Sequence, residues 1–164
     1  MDVKSALTET LRFSQNVVNG FLADVSDEDL KIRPVEGANS IAWQLAHLIA
    51  SEASFGASLP GAKYPAVPES IKTCGRGLPT GNPEAGCGLP KTQLVEWFNR
   101  VREATIAALQ AIDEKSLDTP NPNEGMRRLA PTFGSLFILA NNHTMMHAGQ
   151  WSVVRRKLKK PVLF

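Results

Sequence analysis

The chain has 164 residues, of which 43% are hydrophobic and 21% charged, and a formal net charge of +2. That length fits one domain, which buries roughly 70% of the surface its unfolded chain exposes and needs neither a disulfide nor a metal merely to fold. The composition excludes a disordered or fibrous chain, and so small a net charge singles out no class of partner.

No apolar run approaches the ~20 residues needed to cross a bilayer; the longest, "SLFILA", stops at Asn141 and Asn142. The opening "MDVKSALTET" has neither the basic nor the apolar region of a signal peptide. We therefore expect a cytoplasmic protein without membrane contact. In that compartment Cys74 and Cys87 are expected as free thiols, with a loop disulfide as the alternative. They lie in a Gly/Pro-rich stretch without a C-x-x-C pair, so a zinc knuckle is not indicated.

Helical periodicity marks four segments. Val3, Leu7, Leu11, Val18, Phe21 and Val25 draw one apolar stripe, which predicts a helix over about 2–24. The second helix starts at Asn39 or Ser40, whose side-chain oxygens suit an N-cap, and runs to about Gly56. It is apolar nearly all round, as a buried helix should be, and Trp43 reads as core. Residues 57–89 read as a long structureless connection, whether a lid, a binding loop or a disordered stretch, with reach enough that the second and third helices need not be antiparallel neighbours.

The third helix opens at Pro90 and carries Leu94, Phe98, Val101, Thr105, Ala108 and Ile112 on one face. After a second long connection, the fourth follows Pro131 with Thr132 as N-cap and continues to about Leu158, before Pro161. Its inward face should be Leu136, Ala140, His143, His147, Gln150 and Val154. Nothing alternates as a strand does. The expected fold class is therefore all-α, a four-helix bundle in a single domain over 1–164.

The chain has three histidines, and all fall on expected inward faces. His143 and His147 are one turn apart, so their imidazoles project from one side of the helix like a clip. His47 follows Trp43 by one turn on the buried second helix and can complete a triad. A lone buried histidine is more often a core residue bonded to a carbonyl. Three of them buried without partners would be costly, whereas a cation turns three desolvated lone pairs into bonds.

These segments also resemble a known family. "NSIAWQLAHLIASE" is similar to the second-helix signature W-x-x-x-H-L-x-x-x-E of the DinB/YfiT-like proteins, and "NNHTMMHAGQWSVVRRKLKKP" to their fourth-helix signature H-x-x-x-H-x-G-Q with a basic stretch and Pro. The resemblance implies an up-down-down-up four-helix bundle holding a divalent metal on one helix-2 and two helix-4 histidines, here His47, His143 and His147. It also implies a thiol-dependent transferase that delivers a low-molecular-weight thiol to an electrophile. The chain departs from the family in its long 57–89 connection and in "LKKP", where Leu-Gly is usual before Pro.

Three imidazoles leave a coordination position open, as in catalytic rather than structural sites, for a water or thiol whose pKa the ion lowers. The ligand set suits zinc or nickel first, with iron, copper or manganese as alternatives. Gln150, close to one turn beyond His147, could hydrogen-bond a ligand or a histidine. Glu52, five residues after His47, points away from it and is a weak choice of base. Gly149 is expected to mark close approach of another helix. "RRKLKK" reads as a solvated helix end whose cations complement the dipole, not as a nucleic-acid patch. Two functions stay open: a metal-dependent enzyme acting on a small molecule, as a thiol transferase or a hydrolase, and a non-catalytic module that binds a metal or small ligand, or that forms a homodimer.

Overall fold

The computed structural model describes residues 1–75 and 88–163. Each expected helix is present, and its caps follow from local chemistry. The Asp2 carboxylate accepts from the Ser5 amide and starts α1, Val3–Leu22. Ser40, not Asn39, caps α2, Ile41–Gly56, by accepting from the Trp43 amide. Pro90 precedes α4, Lys91–Ala111, as its N-cap. Thr132 and Ser135 form a reciprocal capping box at the start of α5, Phe133–Lys157. Among the described residues there is no strand, only a single bridge between Pro120 and Thr132 that fastens the last connection to the head of α5.

The expected structureless connection is partly ordered. A short helix, α3, spans Glu69–Cys74 and packs on α2, and its Ile71 and the preceding Val67 are buried in the same core as Leu45 and Ile49. Six helical residues are too few to display a period, which is why the sequence hides them. Residues 76–87, on which much of the lid expectation and Cys87 fall, lie outside the described residues. Cys74 is disulfide-bonded, which corrects the expectation of a free thiol there. That expectation rested on compartment, and compartment says nothing about whether a fold brings sulfurs together.

The long helices pack as two pairs across one another, α2 against α4 and α5, α1 against α4 and α5. Two apolar cores result. One gathers Val18, Leu45, Ile49, Phe98 and Trp151, the other Leu11, Leu109, Phe133, Leu136 and Phe137. Between them lies a polar layer centred on Arg102, which is fully buried. Its guanidinium donates to both Glu52 oxygens, each at 2.8 Å, to the Leu11 carbonyl at 2.8 Å, to the Ser14 hydroxyl at 2.5 Å and to the Thr144 hydroxyl at 2.8 Å. One side chain thus ties α1, α2, α4 and α5 together.

Two smaller expectations are corrected. A Cβ on Gly149 would meet nothing within 4 Å, so this glycine sits on an outward face and no helix among the described residues approaches it. The basic stretch is not simply solvated. Arg155 is buried, paired with Asp24 and donating to the Phe21 carbonyl at 2.8 Å, while Lys157 donates to the Arg33 carbonyl at 3.0 Å. The stretch pins the end of α5 to the connection that follows α1.

Candidate metal centre

His47 from α2 and His143 and His147 from α5 meet at the polar layer, and their ligand atoms all lie within 4.8 Å of one another. The Nε2 atom of His143 is 3.2 Å from that of His47 and 3.2 Å from that of His147. Two nitrogens bound tetrahedrally to one zinc at ~2.0–2.1 Å stand about 3.3 Å apart, so the cluster already has the spacing of a coordinated set. His143 and His147 sit one above the other because α5 carries them four residues apart. The ring of Trp43 stacks on that of His47 at 4.9 Å and braces it from the side, a more specific position than the core role expected of it.

Hydrogen bonds decide which ring nitrogens carry protons. His47 Nδ1 lies 3.1 Å from the Gly75 carbonyl, which can only accept, so Nδ1 carries the hydrogen and Nε2 the lone pair. His147 Nδ1 lies 3.0 Å from Gln44 Oε1. That amide is fixed in orientation, because the Trp151 indole donates to the same oxygen at 2.9 Å and Gln44 Nε2 donates to the Asn39 carbonyl at 3.0 Å. His147 Nδ1 is therefore also a donor. Gln150 Oε1 stands 3.3 Å from the same nitrogen, so the sequence placed it correctly beside a histidine while missing the stronger partner, Gln44.

Two Nε2 lone pairs thus converge on a third Nε2 that can offer at most one hydrogen. A cation at the centre resolves this as no arrangement of neutral imidazoles does, and the residues fit a divalent transition metal. Burial first, and then repulsion from the neighbouring rings, pushes the pKa of His143 down to about 4; burial and His47 do the same for His147. Both are neutral, and ready as ligands, at pH 7.

Glu52 takes no part in this cluster. Arg102 holds both its oxygens, and the Thr105 hydroxyl donates to one of them at 2.7 Å, so it is not available as a base. The sequence offered one clue to Gln44, a lone amide in the apolar run "IAWQLAH". It offered none to Gly75, whose role is played by a backbone carbonyl.

Beside His47 opens a cavity of about 580 Å³, walled by α2, by the segment 64–67 and by α3. His47, Ser51, Ser54, Phe55, Tyr64 and Lys72 are among its lining residues. The Tyr64 phenol donates to Thr105 Oγ1 at 3.0 Å, and burial raises its pKa to about 12, so it remains protonated. Its ring lies where a Cβ on Gly56 would be, 1.9 Å from the nearest ring atom, so the absence of a side chain at 56 lets Tyr64 close that wall.

Comparison with known proteins gives a family and a fold. The family model described as the DinB superfamily matches residues 10–151. A crystal structure of a dinb-like protein from Bacillus cereus is similar with a TM-score of 0.71 at 17% identity, covering 98% of this chain and 97% of that one. The crystal structure of a conserved protein from Enterococcus faecalis is similar with a TM-score of 0.65 at 18% identity, covering 98% and 99%. No curated protein matches the chain. At these identities the two structures establish likeness of fold.

Proposed function

The chain belongs to the DinB superfamily, and on that premise we propose that it is a metal-dependent enzyme whose divalent ion is held by His47, His143 and His147. The observation that carries this reading is the convergence of three Nε2 atoms, two of them fixed as lone-pair donors, beside an open cavity. A bound zinc or nickel ion would supply a Lewis acid that lowers the pKa of a water or thiol near neutral pH. The chain's own residues do the rest. Gly75 and Gln44 hold the two outer imidazoles in the ligating tautomer, Trp43 braces His47, and the wall from Phe55 to Val67 shapes the space where a small molecule lies against His47.

Within this class we favour transfer of a low-molecular-weight thiol to an electrophile, on the resemblance of the two histidine helices to thiol-transferring relatives. Hydrolysis is the second reading, since a cavity open to solvent admits water equally. We also propose the up-down-down-up course of a four-helix bundle. It is supported by the two cores, since α1 and α5 begin among residues of one core and α2 and α4 among residues of the other.

The test starts with metal content after dialysis. Wild type should hold about one transition ion per chain, and the His143→Ala/His147→Ala variant essentially none; equal content in both would end the triad reading. Turnover of electrophiles with a panel of thiols should require metal and His47. It should survive Cys74→Ser/Cys87→Ser, and activity that follows the cysteines instead would overturn the mechanism.

A further inference from the structure

The cavity beside His47 has an uneven wall. Most of it is apolar, from Ala50, Ala53, Phe55, Pro65 and Val67, and no acidic residue lines it among the described residues. Its one cationic lining residue among them is Lys72. Among the described residues the carboxylate paired with that ammonium is Glu69 at 3.8 Å, close to the outer limit of an ion pair; Glu69 is mostly exposed and does not line the cavity. Ser51 and Ser54 also line this space, and neither hydroxyl hydrogen-bonds to a described residue.

The position of Lys72 is fixed by the same contact that orients the metal-binding imidazole. Gly75 lies against α2 so closely that a Cβ there would be 2.6 Å from the His47 backbone, and its carbonyl accepts from His47 Nδ1. Three residues earlier on the same short helix, Lys72 is therefore held at a set place relative to His47, across a shared cavity. A single ammonium with two hydroxyls matches a monoanion. A phosphate dianion is usually met by a guanidinium fork or several backbone amides, and the described residues of this wall include no arginine.

We propose that this cavity takes a small molecule bearing a carboxylate, which Lys72 binds with help from Ser51 and Ser54 while the molecule's other end reaches the three imidazoles. The inference rests on the functional reading above and narrows its substrate to an acid. The apolar wall accommodates the carbon skeleton between the two ends, and the volume lies within the ~300–1,000 Å³ usual for small-molecule sites.

The test uses the full chain loaded with cobalt(II) and pairs of imidazolyl alkanoates and their neutral amides, over several chain lengths. Imidazole ligates the metal without reducing the disulfide at Cys74, and each pair differs only in charge. Binding is read from the cobalt absorption bands, and circular dichroism confirms that each variant is folded. At the best chain length the carboxylate should bind about five- to tenfold more tightly than its amide, the advantage of one charge-assisted contact. That advantage should disappear in Lys72→Met and return in Lys72→Arg. An advantage of the same size in Lys72→Met would mean that the metal's own charge reads the anion and would overturn the proposal, as would equal binding of acid and amide to wild type; in both cases the open metal site would stand. If neither compound perturbs the cobalt spectrum, the open site itself is wrong and the proposal fails with it.

Discussion

Gln44 serves two donors with one oxygen, the Trp151 indole and His147 Nδ1, and its own amide nitrogen is spent on the Asn39 carbonyl. Replacing it by leucine leaves the indole unpaired and frees His147 to take the wrong tautomer. Gln44→Leu should therefore bind metal about 10- to 100-fold more weakly, measured by competition with a chromophoric chelator, while Gln150→Leu, whose bond is longer and only part-buried, should change much less. Tyr64 gives a second check at this scale because it is the chain's one tyrosine. Its phenol titrates at about 12 in the folded protein against an ordinary value of 10.0. Between those values the folded state holds the proton and the unfolded state loses it, so this group's contribution to stability is complete below pH 10 and is lost as the pH rises to about 12. Ultraviolet titration should show phenolate appearing late in native protein and near 10 in denaturant; a native midpoint near 10 would mean that Tyr64 is not buried against Thr105.

The long helices were legible because each repeats its apolar residues over several turns and carries caps at the expected ends. Elements without repetition were not: α3 is six residues, and its contribution comes from a backbone carbonyl and from a glycine that lets it touch α2. Arg102 was equally hidden. It lies beside Val101 on a helix whose buried face reads as apolar, and only its partners on three other helices explain a charge there. The triad itself was readable, since histidine is rare in the chain and spacing on one helix is fixed by geometry. Gly75→Ala should drive α3 off α2, which weakens metal binding together with stability, because the new Cβ meets backbone that cannot yield. Arg102→Met strands the Glu52 charge in the core and should cost about 3–5 kcal/mol in urea denaturation. The double variant Glu52→Leu/Arg102→Met should be less harmful than Arg102→Met alone; equal or greater damage would show that the rest of the polar layer, not the ion pair, sets the cost.

At the scale of the molecule, the two apolar cores lie on either side of the histidines rather than around them, so the helices are held above and below the site without help from an ion. No helix among the described residues is long and apolar enough to cross a membrane, and the cores are of the size that holds a domain together unaided. Metal-free protein should therefore keep nearly all its helical circular dichroism at pH 7, and added metal should raise the melting temperature without creating helix. Acid should act differently on the two forms of the chain. His143 and His147 titrate near 4 when folded and near 6.5 when unfolded, so between those values the unfolded chain binds more protons. The stability of the metal-free protein should accordingly be complete above about pH 6.5 and decline as the pH falls towards 4, by an amount reduced in the His143→Ala/His147→Ala variant. Melting curves at steps of pH decide the matter: an identical acid slope with and without the two histidines would place the sensitivity elsewhere in the polar layer, and loss of most helix on chelation at pH 7 would make the ion part of the fold.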